Sequence, residues 1–299
     1  MKRIGILGVP VDLGASRRGT DMGPSALRYA KLHQVLSSLG CRITDYGNLE
    51  VPVPETLPVK DPSMKYAEEI VDICEQLADR VSQIIQSGQL PLVLGGDHSL
   101  SMGTLAGVAL ELQHLGLIWI DAHGDFNTPS TSPSGNVHGM SLAASVGHGA
   151  KPLIGIKGMI PKIKPEYAVI VGARQLDPLE REALLDFGVR VFTMKDIDEL
   201  GMSAVIHQAV QIASGGGRNQ IYLSFDLDVM DPMFARGVGT PVPGGLTYRE
   251  AHLAMEILAE SGLLCGLEMM EVNPILDQHN QTAELGVGLI ASALGQKII

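Results

Sequence analysis

Cysteine is scarce in this sequence. Three residues, Cys41, Cys74 and Cys265, are spread over 299 positions, and none belongs to a Cys-x-x-Cys pair. This spacing argues against a disulfide framework and against a zinc site built from thiolates. We therefore expect small core cysteines in a protein of the reducing cytoplasm.

Basic residues are also few, with 22 lysines and arginines against 33 acids and a formal net charge of -11. No long basic run is present, so we expect neither nucleic acid nor an anionic membrane surface as the main partner. An acidic excess suits a soluble protein or one that holds cations.

Long apolar runs are missing as well, since none approaches the roughly 20 residues that a membrane-spanning helix needs. The run from Met1 to Val9 starts like a signal peptide, but Pro10 and Asp12 interrupt it and no small-residue cleavage site follows. We interpret it as the first strand. Because 45% of the residues are hydrophobic, a large core can be filled, and we expect residues 1–299 to form a single domain.

Short apolar runs alternate with longer amphipathic stretches along most of the chain. The apolar runs predict eight strands: 3–9, 42–46, 90–94, 117–120, 167–171, 189–193, 221–225 and 264–269. The amphipathic stretches predict helices at 64–86, 99–115, 178–187, 204–213 and 248–259. Strands that are apolar on both faces and separated by helices indicate an α/β fold with a covered parallel sheet. Irregular segments, which are candidate active-site loops, lie at 47–62, 127–139, 149–165 and 230–245.

Polar side chains follow four of the predicted strands at the point where each strand ends. Ligands bind beyond the carboxyl ends of strands in such sheets, so these side chains are candidate site residues. They are, in chain order, His98; Asp121, His123 and Asp125; Asp226 and Asp228; and Glu271.

Two of these segments place alternate residues on one side of an extended chain. The Asp-x-His-x-Asp segment begins at Asp121, and the Asp-x-Asp segment begins at Asp226. Together with His98 they bring four carboxylates and two imidazoles to one edge. Carboxylates this close at reduced dielectric repel one another, on the order of several kcal/mol. A cation must therefore lie among them.

The set of ligands is rich in oxygen, contains two imidazoles and lacks thiolate. It favours Mn(II) and leaves Fe, Co, Ni or Zn open, whereas calcium and magnesium rarely recruit two histidines. Six ligands serve two ions when two carboxylates bridge, and four aspartates balance the charge of two divalent cations. Two metals about 3.5 to 4 Å apart are a common hydrolytic arrangement.

Each strand end also has a simpler interpretation when taken alone. A single Asp-x-His is usually a turn or a helix cap. The Asp226-x-Asp228 segment can form a capped turn before Pro232, or act as the nucleophile of an aspartyl-phosphate phosphatase, although the companion motifs of that class do not stand out. Glu271 can close a turn at Pro274. Four such ends at one sheet edge favour the metal site.

Six motifs cover residues 95–99, 121–127, 132–140, 224–232, 239–250 and 268–274. Together they are highly specific, and through them the sequence resembles arginases of the ureohydrolase family over nearly its whole length. The resemblance implies a three-layer α/β/α fold with a parallel, eight-stranded sheet and two Mn²⁺ per chain. It also implies hydrolysis of L-arginine to L-ornithine and urea, and a trimeric or hexameric homo-oligomer.

The resemblance also implies roles for individual residues. A hydroxide that bridges the metals attacks the guanidinium carbon, Asp125 helps to carry its proton to the leaving amine, and His138 is a proton shuttle. Asp121 and Asp226 bridge the two ions. One manganese is held by His98, Asp121, Asp125 and Asp226, and the other by His123, Asp121, Asp226 and Asp228.

The two ends of the substrate need different partners. A guanidinium is a cation with parallel N–H donors, so the carboxylate of Glu271 can hold it as a bidentate pair. The other end of arginine differs from agmatine by an α-carboxylate, for which the resemblance assigns the small donors Asn127, Ser134 and Asn136. It assigns the α-ammonium to Asp177.

Two further residues lie near Asp177. Glu180 either supports the site or is simply an acidic residue in the first turn of the following helix. Gln175 stands where many relatives carry an acid, which is a departure from the family pattern. The form of the loop at 132–140 resembles arginases rather than agmatinases, so we predict a preference for L-arginine.

Other functions remain open on the residues alone. An agmatinase or another guanidino hydrolase would share the metal chemistry. A non-catalytic sensor of metal or guanidine would need neither His138 nor Glu271. Deacetylases share the general architecture by resemblance, but their usual single zinc does not require a second set of ligands.

Overall fold

The predicted parallel sheet is present. The computed structural model describes residues 1–297 and, within them, places eight strands in one sheet whose neighbouring pairs are all parallel. Each strand overlaps a predicted one, so the expected fold class is confirmed. The strands are β1 (Arg3–Gly8), β2 (Arg42–Asn48), β3 (Leu90–Leu94), β4 (Leu115–Ile120), β5 (Ala168–Ala173), β6 (Arg190–Thr193), β7 (Gln220–Asp226) and β8 (Leu264–Met270).

The four strands that lead into candidate site residues are neighbours in the middle of the sheet. The strand order is β2-β1-β3-β8-β7-β4-β5-β6. Ile120 pairs with Phe225, and Asp226 pairs with Met270, so the segments that follow these strands start at the same level. Their carboxyl ends form one edge, which is where open α/β sheets bind ligands.

Helices cover both faces of the sheet. Within residues 1–297 they are α1 (Gly23–Tyr29), α2 (Leu32–Ser38), α3 (Ala67–Gln86), α4 (Ser101–Glu111), α5 (Ser141–Ser145), α6 (Lys151–Ile154), α7 (Pro178–Phe187), α8 (Met194–Leu200), α9 (Met202–Ala213), α10 (Tyr248–Ser261) and α11 (Gln281–Ala293). Ile118 and Ile120 pack in a cluster with α1, α2 and α8 to α11, whereas Leu117 and Trp119 pack with α3 to α7. Alternate residues of β4 thus face opposite helix layers.

Several helices differ from their predicted form. α3 begins at Ala67 rather than Met64, because the preceding Tyr66 has a left-handed backbone with φ of 54°. α4 ends at Glu111, and Leu115, which was predicted to be helical, belongs to β4. The short helices α1, α2, α5, α6 and α8 and the longer α11 were not predicted. α11 is buried on nearly all sides, and such a helix lacks the amphipathic pattern that identifies helices in sequence.

The three cysteines are separate thiols in this structure. Burial raises the pKa of Cys74 on α3 to about 12, and burial likewise raises the pKa of Cys265 on β8 to about 12. Both are therefore unreactive thiols. None of the helices described in residues 1–297 combines the length and apolarity needed to cross a membrane.

Candidate metal centre

His98 follows β3 and lies buried at the middle of the sheet edge. Its Nδ1 is 3.0 Å from Asp121 Oδ2, 3.1 Å from Asp125 Oδ2 and 3.1 Å from Asp226 Oδ2. None of these contacts has hydrogen-bond geometry, so Nδ1 is a buried nitrogen without a partner. Three carboxylate oxygens around an imidazole nitrogen are an arrangement that suits a divalent cation.

Protein contacts fix the orientation of the His98 ring through its second nitrogen, Nε2, and through one ring face. Nε2 lies 2.7 Å from Ser224 Oγ, and that hydroxyl donates to Glu268 Oε1 at 2.7 Å. Because the hydroxyl proton is directed to Glu268, Ser224 Oγ accepts from Nε2–H, which leaves the lone pair of neutral His98 on Nδ1. The ring also stacks on Trp119 with centroids 4.0 Å apart. The protein thus aims Nδ1 at the carboxylates.

His123 forms a second group beside the first. Its Nδ1 is 3.0 Å from Asp228 Oδ2 and 3.4 Å from Asp121 Oδ1. The two oxygens of Asp121 therefore face different imidazoles, as a carboxylate shared by two ions does. Asp226 is grouped with His98, while its Oδ1 accepts from Asp228 N at 2.7 Å. Its role as a second bridge stays a prediction.

The charges of the cluster are unbalanced without a cation. Burial and the neighbouring carboxylates of Asp228 and Asp121 raise the pKa of Asp226 well above its usual value. Burial and Asp121 raise the pKa of Asp125 to about 6. Burial alone would lower the pKa of His98, but the surrounding carboxylates outweigh it and raise the pKa well above the usual value. Divalent cations would replace such protons and relieve the repulsion, so the residues fit a metal site.

Some supporting residues were not identified from the sequence. Trp119 Nε1 donates to Asp121 Oδ2 at 3.0 Å, and Thr240 Oγ1 donates to Asp228 Oδ2 at 2.8 Å. Ser224 and Glu268 orient His98 as described above. Glu268 had a recognisable signal, because a carboxylate within the apolar strand β8 must find buried partners. Ser224 and Thr240 lie within the motifs at 224–232 and 239–250, but their contacts with the site were not predicted, nor was that of Trp119.

A cavity of about 300 Å³ lies above the cluster. Loops 127–139 and 230–245 help to line it, whereas the other two irregular segments, 47–62 and 149–165, contribute none of its lining. Of the predicted site residues, His98, Asp121 and Glu271 are buried below its surface. The others line it: His123, Asp125, Asn127, Ser134, Asn136, His138, Asp177, Glu180, Asp226 and Asp228.

Glu271 is fully buried and has a left-handed backbone with φ of 64°, a conformation that costs a non-glycine residue on the order of 1 kcal/mol. Its Oε1 accepts from His98 N at 2.9 Å and lies 3.0 Å from His138 Nδ1. Oε2 has no partner. A bidentate grip on a guanidinium would add a third donor to Oε1, whereas Oε2 would gain its first.

His138 shares Oε1 of Glu271 and lines the cavity. Burial would lower the pKa of His138, but the hydrogen bond and charge of Glu271 outweigh it and raise the pKa to about 9. Since Nδ1 faces Glu271, Nε2 is the nitrogen left to exchange a proton with a ligand.

Asp177 and Glu180 are joined at the start of α7. Glu180 Oε2 accepts from Asp177 N at 3.0 Å, and its Oε1 accepts from Phe126 N at 2.8 Å. Glu180 therefore lies in the first turn of α7 and also binds the backbone of Phe126, the residue after Asp125. Burial raises its pKa to about 7. Asn127 Nδ2 donates to Asp177 Oδ2 at 2.9 Å, so these two cavity residues hold one another.

Known proteins resemble this chain in sequence and in fold. The Arginase family matches residues 2–295. An arginase of Brevibacillus brevis is 50% identical over 298 residues, which cover 100% of this chain and 99% of that protein. The structure of a Bacillus caldovelox arginase superposes with a TM-score of 0.96 at 49% identity, and both chains are fully covered. An Entamoeba histolytica arginase in complex with L-ornithine superposes with a TM-score of 0.89 at 30% identity, covering 99% of this chain and 100% of that one. This chain therefore belongs to the arginase family and is a hydrolase of the arginase type.

Proposed function

We propose that the protein hydrolyses the guanidino group of L-arginine, giving L-ornithine and urea, with two Mn²⁺ per chain. The observation that carries this proposal is the Asp121 carboxylate, whose two oxygens lie 3.0 and 3.4 Å from different imidazoles beneath a cavity. The residues that would hold the ions are His98, Asp121, Asp125 and Asp226 for one, and His123, Asp121, Asp226 and Asp228 for the other.

The choice of metal follows from the donors. They are oxygen-rich with two imidazoles and no thiolate, which favours Mn(II) among the divalent ions. When bound, the ions would supply the positive charge that lets a water molecule ionise near neutral pH and attack the guanidinium carbon.

The protein side chains supply the proton transfers. Asp125 lines the cavity and can receive a proton from the attacking water and pass it to the leaving amine nitrogen. With its pKa raised to about 9 by Glu271, His138 is protonated near neutral pH and can donate from Nε2 to the leaving amine. The unpartnered Oε2 of Glu271 is the atom that would accept a guanidinium N–H.

The far end of the cavity supports arginine rather than agmatine as the substrate. Ser134 and Asn136 line it as neutral donors, beside Asn127 and Asp177. An α-carboxylate can accept from the small donors, while an α-ammonium can pair with Asp177. Agmatine lacks the carboxylate and would leave the buried amide of Asn136 without a partner, which costs affinity.

The test is urea release by metal-stripped protein, before and after Mn²⁺ is restored, with L-arginine and agmatine as substrates. We expect manganese-dependent turnover of L-arginine, with a kcat/KM at least about a hundredfold above that of agmatine. Comparable kcat/KM values for the two substrates would overturn the predicted preference for a substrate with a carboxylate. Urea from neither substrate would favour a sensor, and turnover of acetyl-lysine instead would indicate a deacetylase.

The trimeric or hexameric state stays a prediction, which analytical ultracentrifugation checks.

A further inference from the structure

Asn136 lies at the cavity wall between two donors from outside its own loop. Ser16 Oγ donates to Asn136 Oδ1 at 2.9 Å, and Lys65 Nζ donates to the same oxygen at 3.4 Å. We infer that Ser16 and Lys65 are positioning residues that determine specificity, because they orient the Asn136 amide to bind the carboxylate of the substrate. This inference rests on the proposed function for the identity of that substrate.

The amide of Asn136 has two chemically opposite ends. Its NH₂ group donates hydrogen bonds, whereas its oxygen only accepts them, and a half-turn about χ2 exchanges the two. A substrate carboxylate attracts the NH₂ group and is repelled by the oxygen. Two donors on Oδ1 select the orientation that leaves Nδ2 for the cavity, which Asn136 lines. Removing them would let both orientations be populated.

The loop that carries Ser16 is held in place by backbone contacts of Gly14, two residues earlier. This loop lies between β1 and α1, and its Gly14 N donates to the buried carboxylate of Asp97 at 2.7 Å. Gly14 O accepts from His138 N at 3.1 Å. The same loop thus contacts His138 through its backbone and Asn136 through Ser16, so the loop fixes the spacing of these two cavity residues.

Lys65 lies just before α3, in a segment that contacts the loop of Asn136. Its backbone N donates to Gly135 O at 3.0 Å, which anchors the residue whose side chain reaches Asn136. The chains are so close here that a Cβ on Gly135 would lie 1.9 Å from Pro62 O, and Gly135 has φ of 70°. A side chain is therefore excluded at position 135. The anchored segment directs the ammonium of Lys65 to the amide oxygen.

The charge of Lys65 matters because the cavity lining is acidic. Asp125, Asp177, Glu180, Asp226 and Asp228 line it, and neither lysine nor arginine is among its lining residues. A carboxylate that enters this cavity needs a positive potential at its own end. Lys65 supplies one positive charge behind the Asn136 amide, and polarises the N–H groups that would donate to the substrate. Agmatine has no carboxylate, so it gains nothing from this charge.

The experiment measures kcat and KM of metal-loaded Ser16→Ala and Lys65→Met with L-arginine and with agmatine. We expect the KM for L-arginine to rise about threefold to tenfold in each variant, with kcat changed by less than about twofold and no rise in the KM for agmatine. Titration calorimetry with L-ornithine should show weaker binding by the same factor, whereas putrescine, which lacks the carboxylate, should bind no more weakly than before. Ser16→Thr retains the hydroxyl and should restore the wild-type KM.

The controls are Ser203→Ala and Lys195→Met, which remove the same groups from exposed positions on α9 and α8. If kcat/KM fell equally for L-arginine and agmatine, Ser16 and Lys65 would have a merely structural role. An unchanged KM for L-arginine would exclude any role in binding it. Urea release by the wild-type protein tests the proposed function separately. If that protein released no urea, the proposed function would fail, and the titrations with L-ornithine and putrescine would still decide the inference.

Discussion

Asp121→Asn is expected to prevent binding of two Mn²⁺ per chain and to lower kcat for L-arginine by at least about a thousandfold. Asp121 is the carboxylate whose two oxygens approach both imidazoles, His98 at 3.0 Å and His123 at 3.4 Å. Asparagine keeps one oxygen, replaces the other with an NH₂ donor and removes a negative charge. At most one ion would then retain its full set of ligands.

Metal content after equilibrium dialysis and urea release measure this effect. Trp119 gives a further readout, since it is the single tryptophan of the chain, stacks on His98 and donates to Asp121. We expect manganese to change its fluorescence in the wild-type protein and to leave it nearly unchanged in the variant. Asp186→Asn, at an exposed position on α7, is the matched control. Two tightly bound ions in Asp121→Asn would contradict the shared-ligand geometry.

The candidate ligands could be predicted because they follow buried strands. An apolar run that ends in an acid marks the carboxyl end of a strand, and parallel strands bring such ends to one edge. The adjacency of β3, β8, β7 and β4 could not be predicted in the same way. These strands are third, eighth, seventh and fourth in the chain but neighbours in the sheet, and that order depends on how the intervening helices pack on its faces.

The contacts that refine the site were less accessible to sequence reasoning. The Asp177-x-x-Glu180 spacing was visible as an acidic helix start, but the hydrogen bond that Phe126 N donates to Glu180 joins residues 54 positions apart. The bond from Thr240 to Asp228 depends on the conformation of the long loop after β7. Local patterns determine strands and caps, whereas contacts between loops depend on the assembled fold.

The two carboxylate oxygens of Glu271 differ in their contacts. Oε1 already accepts from His98 N and His138 Nδ1, and Oε2 has no partner. Glu271→Gln is therefore a selective change, because the amide oxygen can keep both bonds of Oε1 while an NH₂ donor replaces Oε2. A donor at that position would repel the guanidinium N–H groups. We expect kcat/KM for L-arginine to fall at least about a hundredfold while both metals are retained.

The pH profile of Glu271→Gln separates this effect from general damage. Loss of the carboxylate charge removes the interaction that raises the pKa of His138 to about 9. A lower pKa means that His138 loses its proton at lower pH, so the alkaline limb of kcat should move toward neutral pH. Metal content and urea release should be normal in Glu199→Gln, an exposed change on α8. Wild-type turnover in Glu271→Gln would show that Glu271 takes no part in the reaction. Loss of metal would instead show that Glu271 acts chiefly by accepting the hydrogen bond from His98 N, which holds the metal ligand His98 in place.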